Sequence, residues 1–251
     1  MESVTLSLDL VLLLMMAIYL ASLISSVTGS AGGVLMFAAM GTVIPARALV
    51  ALHGSVQLVS NLNRTWWLRH SVDARLCGYF GVGVALGAVL ATALIAQFAS
   101  ELIPLWILLA LIGYTLFKPK RMPAIRVSGR GFFWVGLATG ILGILAGAVD
   151  PFLAVFFVRD DMSKQQIVAN KSMMQLMTHL TKIPAFLYLG FSFVEHWPLI
   201  AVFALAAMAG NWTGLKLLHR IDVKRFITLM KLALMLAAWQ IGFQIFGSMV
   251  A

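Results

Sequence analysis

The chain has 251 residues, 61% of them hydrophobic and only 11% charged, with a net charge of +9 and a mean hydropathy of +0.97. Soluble domains run at about 45–50% apolar and about 25% charged residues, so this composition excludes a soluble globular domain and describes a polytopic membrane protein. The positive balance does not point to nucleic acid, because Lys and Arg sit in short loops between apolar segments, where membrane orientation places them.

The first apolar run, Leu10 to Val27, follows a start without basic residues and is longer than a signal-peptide core, so it reads as a retained helix. Apolar segments then cover 9–43, 46–67, 76–98, 101–118, 131–159, 163–190, 196–218 and 225–247, eight hydrophobic helical units in all. Two of them are broken. Thr28-Gly29-Ser30-Ala31-Gly32-Gly33 interrupts the first, and Gly147-Ala148-Val149-Asp150-Pro151 interrupts the fifth. The pieces after the breaks, 31–43 and 151–159, are shorter than the roughly 20 helical residues that span a hydrocarbon core. Gly and Pro interrupt the helical hydrogen-bond ladder, so 9–43 and 131–159 are expected to be helix–break–helix hairpins that return to their starting side. A break at membrane depth is tolerated only against protein or a polar cavity.

Charge supports this layout. With both hairpins re-entrant and the N-terminus outside, segments 67–76, 118–130, 159–164 and 216–225 fall on the cytoplasmic side and hold most of the 18 Lys and Arg. The outer segments hold Arg47 beside Glu2, Asp9, Glu101 and Glu195. Positive-inside bias therefore favours hairpins and places both termini outside the inner membrane.

The halves resemble each other. At an offset of 118 positions, VALHGSVQLVSNLNR (50–64) falls on VANKSMMQLMTHLTK (168–182), with Val, Ala, Gln and two Leu identical, and Gly29 falls on Gly147. At an offset of 123, GAVLATALIAQ (87–97) falls on GNWTGLKLLHR (210–220). The expected architecture is an all-α polytopic membrane protein built as an inverted repeat of two units. Each unit is a broken-helix hairpin plus three transmembrane helices: residues 1–117, a cytoplasmic linker 118–130, and residues 131–251. Three crossings per unit turn the second copy over, the common plan of secondary transporters with a site near the midplane.

Within the helix near 46–67, His53, Gln57, Ser60, Asn61 and Arg64 recur at i, i+4, i+7, i+8 and i+11, which is one helical face. Lys171, Gln175, Thr178, His179 and Lys182 repeat that spacing. Such stripes avoid lipid, because an intramembrane charge costs roughly 2.5–3.5 kcal/mol even on the lenient insertion scale. The bland alternative for Ser60, Thr178 and Asn63 is interhelical hydrogen bonding. For Arg64 and Lys182 it is snorkelling to an interface. Lys171 has neither excuse: it lies about two turns inside its helix. Lys231 is also intramembrane, and its equivalent is Leu108.

The breaks add a second element. A short helix starting after Gly32-Gly33 presents free N–H groups and the positive end of its dipole, an anion-binding arrangement. Asp150-Pro151 reads as an N-cap followed by Pro at the first helical position. The sharper alternative has Asp150 titrating, or pairing with Lys171 or Lys231, and acting in coupling or gating with Lys231. The intramembrane set is more cationic than anionic, so the expected ligand is a small anion, bound by Gly32, Gly33, His53, Gln57, Asn61, Lys171, Gln175 and His179. The lone Cys77 and the scattered His residues leave no metal site, and no cofactor is expected. No zinc-protease, paired-Asp or Ser/His signature suggests an enzyme.

TGSAGGVLMFAAMGTVIPARALVALHGSV (28–56) and GVGVALGAVLATALIAQFASELIPLWILLAL (81–111) resemble the sulfite exporter TauE/SafE family. Its pattern has a Gly-rich break, a short apolar helix, a Pro-containing link and a turn of the Gly-Thr-Ser kind. Gly29, Gly32, Gly33, Pro45, Ala51, Gly54 and Ser55 fall on that pattern. The family's Gly-Gly-Gly break is Ser-Ala-Gly-Gly in one half and Ala-Val-Asp-Pro in the other, and the Gly-Thr-Ser turn becomes His-Gly-Ser and Asn-Lys-Ser. The resemblance implies outward transport of a sulfur-containing anion, sulfite or an organosulfonate, with the two halves rocking about a midplane site. A different anion, a proton- or cation-coupled importer, and a non-transporting assembly protein stay open, as does a homodimer.

Overall fold

The computed structural model describes residues 4, 6–29, 32–95, 106, 109–110, 113, 127–157, 161–222 and separate positions between 225 and 247. The linker 118–130 up to residue 126, most of the segments 101–118 and 225–247, and Lys231 lie outside the described residues.

Eight α-helices are described in full: α1 Leu8–Thr28, α2 Gly32–Gly41, α3 Ala46–Trp67, α4 Ala74–Ile95, α5 Phe132–Ala146, α6 Asp150–Phe157, α7 Lys164–Tyr188 and α8 Trp197–Leu218. A short 3₁₀ turn, Arg69–Ser71, links α3 to α4. No strand occurs among the described residues. Helices α1 and α8, and Ala74–Leu94 of α4, are long and apolar enough to cross a membrane by length and composition. Helices α3 and α7 have 22 and 25 residues, about 33 and 38 Å at 1.5 Å per residue. Their polar stripes, not their length, lower their hydropathy.

The helix ends follow local chemistry. Helix α1 stops at Gly29, whose φ of 65° is left-handed and whose N–H donates to Ser25 O at 2.8 Å. Helix α5 stops at Gly147, with φ 75°. Both breaks therefore end in a conformation that glycine adopts without the Cβ penalty. Helix α7 opens with a capping box: Gln166 N–H donates to Ser163 Oγ at 3.2 Å and Ser163 N–H donates to Gln166 Oε1 at 2.9 Å.

Polarity is arranged inside out. Large apolar side chains such as Leu13, Met16, Val89, Trp134 and Leu205 face outward, while the stripes of α3 and α7 are buried. Two helix pairs pack most extensively, α4 with α5 and α1 with α8. Both use glycines four apart: Gly83 and Gly87 against Gly136 and Gly140, and Gly210 and Gly214 against α1. A Cβ on Gly83 would lie 2.8 Å from Leu137 N, and one on Gly140 2.8 Å from Ala88 N. Small residues are what let helix backbones approach this closely in lipid. Between the two pairs, α3 packs on α7 and α8, α7 on α3 and α4, and the short helices α2 and α6 meet each other.

Gly140→Ala is expected to destabilise the protein by about 1–3 kcal/mol through overpacking, read as a lower melting temperature in detergent. Gly78→Ala is the control, since its Cβ meets open space, and it is expected to leave the melting temperature unchanged.

Candidate functional site

The two polar stripes face each other across the α3–α7 contact. His53, Gln57, Ser60, Asn61 and Arg64 on α3 are all buried, as are Lys171, Gln175, Thr178, His179 and Lys182 on α7. The His53 and His179 rings stand 5.7 Å apart, edge to face, and Phe37 of α2 meets the other side of His53 at 5.1 Å. Periodicity predicted that these faces turn from lipid, and the helices put them together.

The breaks lie against this wall. The Gly33 N–H donates to Asp150 Oδ2 at 2.8 Å. The Gly33 carbonyl is 2.9 Å from His53 Nε2. A carbonyl only accepts, so Nε2 carries a proton there. In the neutral ring Nδ1 is then an acceptor, and it has no partner, nor does His179 Nδ1. A Cβ at Gly33 would lie 2.5 Å from Asp150 Oδ2 and 3.0 Å from Gln57 Nε2. Gly33 thus faces Asp150, Gln57 and His53. Gly32 instead packs on Ala21 and Ser25 of α1, so the two glycines do different work.

Two alternatives that the sequence left open are corrected here. Arg64 and Lys182 do not snorkel; each is 1% exposed. Arg64 Nη1 donates to Ser25 Oγ, one turn before the end of α1, and Nη2 donates to Asn61 Oδ1 at 2.5 Å. Lys182 Nζ donates to the Gly147 carbonyl at the end of α5. Each cation thus serves the C-terminal end of a broken helix, where the dipole is negative. The second correction concerns Asp150. It does not cap its own helix: Oδ2 takes the Gly33 N–H of α2, and Oδ1 has no partner. The local Asp-Pro grammar cannot reveal a cap given to another helix.

Asn61 Nδ2 donates to the Gln57 carbonyl at 2.8 Å and to Gln57 Oε1 at 3.2 Å, so Asn61 braces Arg64 on one side and Gln57 on the other. Lys171 is 2% exposed and makes no hydrogen bond or ion pair among the described residues; the charges of Asp150 and Arg64 both act on it. Arg64 Nε also lacks a partner. Among the described residues, three buried cations, Arg64, Lys171 and Lys182, therefore stand against one buried carboxylate, Asp150. Lys and Arg side chains only donate, which leaves the wall with a surplus of donors. No group of His, Cys, Asp and Glu among the described residues could hold a metal.

Sequence reading missed Asn211. It is buried on the apolar helix α8, where it accepts from Ser26 Oγ at 2.8 Å and donates to Ser60 O at 2.9 Å and Ser60 Oγ at 3.0 Å. It ties α1, α3 and α8 together. The readable signal was an amide inside an apolar span, within Gly210-Asn211-Trp212-Thr213-Gly214, a small-xxx-small pattern. A separate cavity of about 210 Å³ opens at the far ends of α3 and α8, among Trp67, Leu68, Trp212, Leu215, Lys216 and His219. Lys216 Nζ lies 3.3 Å from the Trp212 ring centre there, and the cavity touches neither break.

Asn211→Leu leaves buried partners on two helices unsatisfied. It is expected to cost about 1–3 kcal/mol of stability, measured by thermal or denaturant unfolding in detergent.

Comparisons with curated proteins and with solved structures give no match. The sulfite exporter TauE/SafE family model matches residues 14–241, nearly the whole chain, both breaks and both stripes included. The chain therefore belongs to the sulfite exporter TauE/SafE family of membrane transporters.

Proposed function

We propose that the protein is a secondary transporter of the cell inner membrane that exports a small anion, a sulfur oxyanion or an organosulfonate, by alternating access. The observation that carries this reading is the buried donor surplus among the described residues: Arg64, Lys171 and Lys182 on the facing stripes of α3 and α7, with Asp150, bonded to the N-terminal end of α2, as the single buried carboxylate. Buried charge without compensation is costly, and an oxyanion offers the acceptors that Lys171 and Arg64 lack. Family membership supports export of a sulfite-like solute.

An inverted repeat, residues 1–117 and 131–251, underlies the mechanism. The helix pairings support it: exchanging each helix with its mate four further along turns the α1–α8 contact into α5–α4, and α3–α8 into α7–α4. The α3–α7 and α2–α6 contacts map onto themselves, as contacts on a twofold axis do. The site lies on that axis. Gly33 supplies its N–H, Gln57, Lys171, Gln175 and His179 face the anion, and His53 and Asn61 hold Gly33, Gln57 and Arg64 in place. Asp150 adjusts the charge.

Lys171→Ala and His53→Ala are each expected to lower sulfite or sulfonate transport in proteoliposomes by about tenfold or more, the first by losing a charge-assisted bond to the anion and the second by releasing the Gly33 carbonyl. Unchanged transport of every tested oxyanion in both variants rejects the site. The orientation is checked separately. In a Cys77→Ser background, Ser71→Cys is expected to react with an impermeant thiol reagent from the cytoplasmic side and Glu195→Cys from the outer side.

A further inference from the structure

The two breaks are equivalent in position and opposite in chemistry. At the 118-residue offset, Gly32-Gly33 corresponds to Asp150-Pro151. The first break offers a backbone N–H with no side chain in the way. The second offers a carboxylate, followed by a residue with no N–H. Each supplies what the other lacks, and the Gly33–Asp150 bond joins them. The carboxylate is buried, and it sits on the donor at which an incoming anion would first find the positive end of α2.

We propose that Asp150 is the resident anion of the transport site: a substrate oxyanion binds by exchanging places with its carboxylate on the Gly33 N–H, and Asp150 takes up a proton as it leaves. This rests on the anion-transport reading above. One N–H cannot serve two acceptors at full strength, and two anions at one donor repel strongly in a buried site. A carboxylate that has lost its N–H partner without reaching water is cheaper neutral than ionised. The proton comes from solvent.

The charges of Arg64 on α3 and Lys171 on α7 act on Asp150. His53 stands on the same stripe of α3, and His179 and Lys182 on that of α7; α2 and α5 carry no titratable side chain. Asp150 is the sole titratable residue of α6. Arg64 and Lys171 remain after the exchange to hold the anion. His53 and His179, each with a ring nitrogen lacking a partner, are the competing proton acceptors, so the test must separate them from Asp150.

The full-length protein in detergent is titrated with methanesulfonate and with sulfate, neither of which changes protonation between about pH 6 and about pH 8. Calorimetry in two buffers of different ionisation enthalpy counts the protons. The wild type is expected to take up about one proton per anion, with affinity falling by up to tenfold per pH unit on the alkaline side. Asp150→Asn is expected to bind at least about tenfold more tightly at the alkaline end of that range, with no proton uptake and no pH dependence. In proteoliposomes this variant is expected to lose methanesulfonate accumulation driven by a pH gradient. Proton uptake that persists in Asp150→Asn assigns the proton to a histidine and overturns the proposal. Anion binding to the wild type without proton uptake overturns it too, and needs no variant if Asp150→Asn fails to fold. Absence of binding of methanesulfonate, sulfate and sulfite to both proteins overturns the anion reading itself, and this inference with it.

Discussion

A helix that stops inside a membrane leaves N–H and C=O groups where no water can reach them, each costing several kcal/mol in hydrocarbon, and a break between two helices leaves up to about eight such groups to be partnered. This chain stops two apolar helices at Gly29 and Gly147, beside buried polar side chains. The rest of the architecture answers that demand. Arg64 and Lys182 reach the two C-terminal ends, and Asp150 reaches the N-terminal end of α2. In each case the sign of the side chain opposes the sign of the helix dipole. These groups cannot lie on lipid-facing surfaces. They require two helices with polar faces, packed against each other and shielded by apolar ones, which is the arrangement of α3 and α7 inside the α1–α8 and α4–α5 pairs.

Much of this is legible in the sequence because periodicity is a local property. The i, i+4, i+7, i+8, i+11 spacing from His53 to Arg64 fixes which side of α3 is polar, and its recurrence from Lys171 to Lys182 identifies the facing helix. The positive φ at Gly29 and Gly147 was marked by the glycines themselves. What stayed hidden depends on reach and on partners distant in the chain. A long cation near a helix end is consistent with snorkelling and with burial alike, and only the position of Ser25 or of the Gly147 carbonyl decides. Asp150 fits a local cap, and the acceptor role it actually plays lies 117 positions away in the chain. Asn211 is a lone amide in an apolar span, and its partners Ser26 and Ser60 stand on two other helices.

The halves share spacing without sharing chemistry. His53 stands where Lys171 stands in the second half, and Asn61 where His179 stands. The cations that serve the breaks differ as well: a guanidinium bonded to a side-chain hydroxyl in one half, an ammonium bonded to a backbone carbonyl in the other. Planar guanidinium and compact ammonium are not interchangeable as hydrogen-bonding groups. The two facing walls are therefore chemically unequal, although the spacing of their polar residues repeats.

The glycine-lined pairs bear on what can move. Helix α1 is clamped to α8 and α4 to α5 by backbone contacts too close for a side chain, and each clamp joins one helix from either half. Parting residues 1–117 from 131–251 would tear both clamps apart. A division that spares them groups α1, α2, α3 and α8 against α4, α5, α6 and α7, so each half lends its last described helix to the other. The seam between these bodies crosses the chain at the links α3–α4 and α7–α8. The first link is pinned by Asn170 of α7, which accepts the Asp73 N–H at 2.7 Å. The resemblance between the halves and the closest packing therefore divide the described helices along different lines, and residues 68–73 and 189–196 link the two packed groups.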